Sequence, residues 1–211
     1  MSLRMETDKA INVITEGAIE PWERLTDALA EQKALEASKS DEAADAGRLA
    51  VSICGLAGQF GLNSRDMAAR SDGWALLSAA ADASKNRLLS SAAKRTTLAV
   101  SAHFEADDDG GYRFINNRIM IVHPTMGSSE FLTTAANAIR FLIAELGLDL
   151  DWTPRILEGP PEFAPTVVLD AGPDPNYVFE LLQVRFLKRN PDGDLVLFQP
   201  QNWQLELKTT T

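Results

Sequence analysis

Apolar residues near the start of the chain recur at intervals of three and four. The recurrence covers Ile11, Ile14, Ala18, Trp22, Leu25 and Leu29. This spacing places the side chains on one stripe of a helix, so we predict a core-facing helix that bends at Pro21 and ends near Ser38. A proline inside a helix removes one backbone donor and is tolerated where the helix bends.

Helical spacing continues to about residue 92. We predict three helices here: one capped by Ser38, Ser40 or Asp41 that runs to about Phe60, one from Ser64 to Arg70, and one capped by Ser71 or Asp72 that runs from Trp74 to Ala92. Serine and aspartate at each start supply the oxygen that caps the first backbone N–H groups, and Gly61 supplies the left-handed residue that ends the first of the three. Cys54 lies among small apolar residues of that helix, so we expect a buried and inert thiol.

The second half of the chain changes from helical spacing to strict alternation. Apolar and polar residues alternate over 98–105, which is the two-residue repeat of a half-buried strand. The Asp-Asp-Asp-Gly-Gly run at 107–111 predicts a turn into a second strand that ends at His123. Asn116-Asn117 interrupts the alternation of that strand, which predicts a bulge or a second turn.

The remaining segments are predicted from their turn residues and apolar spacing. A helix is expected from Ser128 or Ser129 to Leu146, with Gly147 just past its end. After it we predict an irregular proline-rich connection at 151–165, a short strand at 166–170, and a hairpin of 178–189 with 195–207.

These elements predict an α+β fold, in which a helical N-terminal layer packs with a mainly antiparallel β-sheet of about five strands that carries one further helix. Helical spacing gives way to alternation near residue 96. We therefore divide the chain into a helical region, 1–96, and an antiparallel α+β region, 97–211, with one continuous domain as the alternative.

Composition and charge narrow the function classes. Apolar residues make up 45% and charged residues 24% of the 211, which is typical of a globular protein. The formal net charge of −10 repels phosphate backbones, so we expect no nucleic-acid partner. A single cysteine, the absence of an apolar N-terminal signal and the absence of a long apolar run favour a cytoplasmic protein that does not enter a membrane.

Motifs of the common enzyme classes are absent from the sequence. It has no glycine-rich dinucleotide fingerprint, Walker loop, H-E-x-x-H, C-x-x-C or G-x-S-x-G. We therefore expect a binding or protein-interaction protein without a catalytic set and without a cofactor, rather than an enzyme. Its partner would be an unidentified protein or small molecule, and a homo-oligomer is a further alternative.

The two histidines are the first candidates for metal or acid–base chemistry. If the chain turns around residue 109, His123 falls opposite residue 95, eight positions from His103, or roughly 26 Å at ~3.3 Å per residue. The two rings then meet only if Asn116-Asn117 folds the second strand back. We therefore predict no metal site and a structural or surface role for each histidine.

Glu105-x-Asp107-x-Asp109-Gly110 resembles the opening of a calcium-binding loop. The sequence departs from that pattern further on, because Asn116 stands where a bidentate glutamate is required. We therefore interpret this stretch as a solvated hairpin turn.

Leu56-Ala57-x-x-Phe60-Gly61-Leu62, followed by Met67, resembles the helix-turn-helix family over about twenty residues. The resemblance implies a transcription regulator as the alternative function, with Arg65 and Arg70 facing the DNA groove. Arg70 departs from the pattern, since the family keeps that position apolar. An ordinary helical corner would instead bury the apolar residues, while the two arginines point to solvent or pair with acidic neighbours such as Asp66 and Asp72.

His123, Ser128 and Ser129 form the candidate ligand-binding site. They flank the predicted helix start, where free backbone N–H groups and the helix dipole favour an anion. This arrangement defines the second alternative function, an enzyme acting on a small anionic substrate. Glu130 in the first turn offers the competing explanation, because its carboxylate supplies the negative charge from within the chain.

Overall fold

The structure is a computed structural model of the chain that describes residues 2–31, 41–85, 96–159, 161–170 and 183–208. Its helical elements are α1 (Ser2–Ile14), a π-helical turn (Thr15–Ile19), α2 (Glu20–Glu31), α3 (Asp41–Gln59), α4 (Ser64–Arg70), α5 (Asp72–Lys85) and α6 (Phe131–Glu145). Its strands are β1 (Thr97–Ala106), β2 (Tyr112–His123), β3 (Gly127–Glu130), β4 (Val167–Asp170), β5 (Gln183–Arg189), β6 (Leu195–Phe198) and β7 (Leu205–Lys208).

The N-terminal helix continues across Pro21 by means of the π-helical turn just before it. Proline has no N–H to donate to the carbonyl of Gly17 four residues earlier. That carbonyl instead accepts a hydrogen bond of 2.6 Å from the Ser52 hydroxyl on α3. The absence of a side chain on Gly17 allows this approach, because an added Cβ would already lie 3.2 Å from the Leu56 methyl groups. The predicted end near Ser38 lies outside the described residues.

Capping residues fix the starts of α4 and α5, but the residue that caps α4 is not the predicted one. Asn63, not Ser64, caps α4, because its side-chain oxygen accepts the N–H of Arg65 at 2.9 Å. The Ser64 hydroxyl is instead 3.1 Å from the indole nitrogen of Trp74. Ser71 caps α5 as predicted. The predicted extension of α5 to Ala92 lies beyond the residues that the structure describes.

The strands confirm the α+β class. They form a five-stranded sheet in the order β3-β2-β1-β5-β6 and a two-stranded sheet of β4 and β7. β5 pairs in parallel with β1 and antiparallel with β6, and β4 pairs in parallel with β7. The sheet is therefore mixed, because β5 enters beside β1 after a long connection rather than a hairpin turn.

Two predicted strand boundaries are wrong. β2 is unbroken from Tyr112 to His123, and Asn116-Asn117 is buried within it. The strand tolerates Asn116 because its amide donates to the Leu157 carbonyl at 3.0 Å. The last predicted strand, 195–207, divides into β6 and β7, since Pro200 lacks the N–H that a continuing ladder requires.

The chain divides into two compact units. The helical unit consists of Met1–Thr26, Ala44–Leu98 and Met120–Ile156, and the sheet unit of Asp27–Ala43, Ala99–Ile119 and Leu157–Thr211, as far as these are described. Each unit draws on both halves of the sequence, and the division at residue 96 stays a prediction. None of the described helices has both the length and the apolar character needed to cross a membrane.

Each unit has its own apolar core. The fully buried large side chains of the helical unit include Trp22, Ile53, Met67, Trp74, Leu77, Phe131 and Leu132. The core of the sheet unit is Ala102, Phe104, Ala106, Tyr112, Val167, Leu169 and Phe186. The members of the second core alternate along β1, so the other face of that strand carries its polar residues.

Candidate functional site

The predicted anion site has a different local structure from the one expected. Ser128 and Ser129 belong to β3, which pairs antiparallel with the end of β2 and brings Gly127 opposite His123. They therefore do not begin α6, and this part of the prediction is wrong. The Nδ1 atom of His123 accepts the N–H groups of Thr125 at 3.3 Å and Met126 at 3.1 Å, so the ring closes the turn between the strands.

Glu130 occupies the start of α6. Its carboxylate accepts the N–H of Leu132 at 2.9 Å and of Thr133 at 2.6 Å, which satisfies the donors that an anion would use. The Ser129 hydroxyl lies 2.9 Å from that of Thr134. His123, Ser129 and Glu130 thus bond to groups within the chain. A ligand-binding role for His123, Ser128 and Ser129 stays a prediction.

The helix-turn-helix segment forms a helical corner with a seven-residue α4. Ala57 and Met67 are buried as expected, whereas Phe60 and Leu62 are only half-buried. Arg70 donates two hydrogen bonds to the carboxylate of Glu145, at 2.8 and 2.7 Å, instead of pairing with Asp66 or Asp72. Hydrogen bonding to Glu145 raises the pKa of the guanidinium. Arg70 is therefore engaged within the helical unit.

The acidic turn between β1 and β2 bonds to its own backbone. Oδ1 of Asp107 accepts the N–H groups of Asp109 at 3.0 Å and Gly111 at 2.6 Å. A hydrogen bond from Lys188 lowers the pKa of Asp108. Within the described ranges, no group of three or more histidine, cysteine or acidic side chains is arranged to hold a metal ion.

The polar face of β1 carries an ion-pair cluster in which Glu105 and Arg113 are buried, while Glu158 and Arg189 are partly exposed. Glu105 lies 2.7 Å from Nε of Arg113 and 2.9 Å from Nε of Arg189, and Arg113 also reaches Glu158 at 2.8 Å. Burial alone would lower the pKa of Arg113, but the hydrogen bonds to Glu158 and Glu105 raise it above its ordinary value. This arrangement fixes the charges in place and keeps the Arg113 guanidinium protonated.

His103 lies two residues before the cluster on the same face of β1. It is 4% exposed, and neither ring nitrogen has a hydrogen-bond partner among the residues that the structure describes. The Ser101 hydroxyl is buried on the same face and also lacks one. Burial, with the positive charges of Arg118 and Arg185, lowers the pKa of His103 to about 3. The ring is therefore neutral at physiological pH.

Cys54 is less buried than predicted. The side chain is half-buried, and its sulfur lies 3.7 Å from the Ser78 hydroxyl. Burial raises the pKa of the thiol, which disfavours the reactive thiolate. Its inertness toward reagents stays a prediction.

The most exposed large apolar side chain in the described part of the sheet unit, Leu197, lies on an edge strand. We call Leu195–Phe198 the β6 edge, because β6 is the last strand in the sheet order and no described strand pairs with its outer side. Leu197 is 72% and Val196 45% exposed. The run of four apolar residues suggested an ordinary hairpin strand, and no local signal indicates that it ends at the edge of the sheet.

The turn that leads into the β6 edge is acidic. Asp192 and Asp194 are exposed, and neither carboxylate forms an ion pair in the described part of the chain. The backbone of the turn is well defined, since the N–H of Asn190 donates to the Asp194 carbonyl at 2.9 Å. An exposed apolar strand thus begins beside two free negative charges.

No family model, curated protein or solved structure matches this chain. Its function is therefore inferred from the geometry of its own residues. The β6 edge combines exposed apolar side chains with a strand side on which no described backbone group is paired, and we take it as the candidate site.

Proposed function

We propose that this chain is a protein-interaction module that binds an extended apolar segment of a partner protein along the β6 edge. The observation that carries the proposal is the 72% exposure of Leu197 on an edge strand. We further propose a cytoplasmic location, which the use of one cysteine in 211 residues supports.

An apolar edge strand is unusual because it invites pairing with other chains. Proteins normally protect such edges with charged residues, proline or a bulge. The β6 edge has none of these between Leu195 and Phe198. Pro200 lies beyond the end of the strand. Retention of an unprotected edge is expected where strand addition is the function.

A partner strand that pairs with β6 would contact apolar side chains on both faces of the sheet. Val196 and Leu197 point to opposite faces because successive strand residues alternate. A partner strand beside β6 would form main-chain hydrogen bonds and place its own alternating apolar residues against these two side chains. Trp203 is 41% exposed and its ring lies 4.9 Å from that of Phe186, whose cross-strand partner is Phe198. It widens the apolar surface on that face.

Charge favours a basic partner over a second copy of this chain. Asp192 and Asp194 stand at the start of β6, and the whole chain carries −10. Two copies would repel each other, whereas lysine or arginine at one end of the partner segment would meet the free carboxylates.

Selection from a library of displayed random peptides tests this function. We expect enrichment of peptides that alternate apolar residues and carry a basic residue at one end. Leu197→Lys should abolish their binding, because it places a charge at the centre of the edge. Leu205→Lys is the matched control, since Leu205 is 51% exposed but lies on β7.

Two outcomes would refute the proposal. One is a selection that enriches no extended apolar peptide. The other is equal binding of the enriched peptides to wild-type protein and to Leu197→Lys. Circular dichroism of both variants must show the wild-type fold for the comparison to count.

A further inference from the structure

A groove in the helical unit lies between α3 and α5, apart from the β6 edge. Its volume is about 300 Å³. It is lined by Ala44, Gly47, Arg48, Val51, Ser84 and Lys85. The four residues from α3 are spaced as one helical stripe, so they form a continuous wall.

Small residues create the space. α3 and α5 meet at Gly47, where an added Cβ would lie 2.3 Å from the hydroxyl oxygen of Ser84 and 3.0 Å from its Cβ. The Ser84 hydroxyl is held back along its own helix by a hydrogen bond of 2.9 Å to the Ala80 carbonyl. One turn away, Ala44 is too short to fill the space beside this contact. The walls are mainly apolar because Ala44 and Val51 face the groove.

The two charged residues among the described lining of the groove are both cationic, in a chain whose net charge is −10. Nε of Arg48 lies 3.0 Å from Asp45, so its charge is compensated. Lys85 is exposed, and among the described residues no carboxylate lies within ion-pair distance of it. The rim therefore has one uncompensated positive charge above an apolar wall.

We propose that this groove binds a small amphipathic anion, whose apolar body lies against Ala44 and Val51 and whose acidic group meets Lys85. The volume is at the lower end of the roughly 300–1,000 Å³ typical of ligand sites, which suits a compact molecule. A carboxylate, sulfonate or phosphate would serve as the acidic group, because a lysine ammonium binds each as a point charge.

Fluorescence titration with anilinonaphthalene sulfonate, an apolar ring system with one sulfonate, tests the site. We expect saturable binding of one molecule per chain, and competition by octanoate. Lys85→Glu should weaken binding by about tenfold, since it replaces an attractive rim charge with a repulsive one. Arg24→Glu is the matched control, because it makes the same change in net charge at an exposed residue that does not line the groove.

Val51→Trp tests the apolar wall by filling it, and should abolish saturable binding. If this variant unfolds, as circular dichroism would show, Ala44→Met provides a smaller obstruction with the same expected result. Leu197→Lys should leave the dye unaffected, which separates this site from the β6 edge. Equal effects of Lys85→Glu and Arg24→Glu, undiminished binding with the wall filled, or no saturable binding would each overturn the proposal.

Discussion

Each unit of the protein contains an arginine–glutamate pair, but the two pairs have different surroundings. In the helical unit, the side chains of Arg70 and Glu145 are 52% and 21% exposed. In the sheet unit, those of Arg113 and Glu105 are 9% and 8% exposed. Water screens the first pair, whereas the second must compensate for its own desolvation. The same chemistry should therefore contribute little in one unit and be indispensable in the other.

The units also differ in how they satisfy buried polar atoms. In the helical unit, the indole nitrogen of Trp22 donates to the Leu132 carbonyl at 2.8 Å, and that of Trp74 to Ser64 at 3.1 Å. In the described part of the sheet unit, the side chains of His103 and Ser101 are buried without hydrogen-bond partners. The sheet unit thus carries polar groups that oppose its stability, which the burial of its apolar core must outweigh.

The largest effect is expected from Arg113→Ala. The substitution leaves Glu105 buried with only Arg189 to compensate it, so we expect a loss of about 3 to 4 kcal/mol in the free energy of unfolding. Urea denaturation followed by circular dichroism measures it.

The double variant Glu105→Leu/Arg113→Met is the control for that experiment. It removes both buried charges and should be more stable than Arg113→Ala. If Arg113→Ala lowered the free energy of unfolding by less than about 1 kcal/mol, the cluster would be effectively solvated. The two arginine–glutamate pairs would then not differ in the way described.

His103 should make the protein sensitive to acid. Its pKa in the folded state, about 3, is below the ordinary value of 6.5, so the folded state resists protonation. The stability that this provides is complete above about pH 6.5 and is lost as the pH falls toward 3, amounting to roughly 2 to 3 kcal/mol by about pH 4.5. Urea midpoints should therefore fall less with acid in His103→Leu than in wild type. Parallel pH profiles would contradict the assignment.

Ser64→Ala tests the satisfied indole in the helical unit. The substitution removes the acceptor of the buried Trp74 N–H, which should cost about 1 kcal/mol of unfolding free energy. Asn63 still caps α4, so the helix itself should persist. Thermal unfolding compares this variant with Ser128→Ala, which changes an exposed serine of β3. Identical melting temperatures for the two would show that the indole finds another partner.

The smallest effect is expected from Arg70→Ala. The guanidinium is largely in water, so its removal should change the urea midpoint far less than Arg113→Ala does. High salt should also diminish the difference between wild type and Arg70→Ala, because it screens an exposed pair. A loss equal to that of Arg113→Ala would show that exposure does not distinguish the two pairs.

Local signals in the sequence predict most of the helices and strands. They do not predict which strands distant in the sequence pair with each other. Alternation over 98–105 and the glycine turn predicted β1 and its hairpin because both depend on neighbouring residues. The parallel pairing of Ser101 with Gln183 depends on contacts formed far along the chain. For the same reason, nothing local indicates that Leu195–Phe198 lies at the edge of the sheet.

The candidate sites also depend on contacts between residues that are distant in the sequence, which local signals do not predict. Glu105 looked like part of a solvated turn, and only the strand register brings Arg189 beside it. Ser128 and Ser129 were predicted to begin a helix because serine is a good cap, but pairing with β2 places them in a strand and leaves the cap to Glu130. The groove between α3 and α5 depends on which residue faces Gly47, and spacing within one helix does not identify it.

The position of β5 also determines the order in which the sheet can assemble. Strand β1 must wait for about eighty further residues before its parallel neighbour is synthesised, roughly 4 to 16 s at ~5–20 residues per second. A hairpin such as β1–β2 forms in about 1–10 µs, so β1 keeps an open side throughout that interval. β5 closes that side, and β6 follows as the next strand outward. A partner segment bound at the β6 edge would continue the same outward growth by one strand.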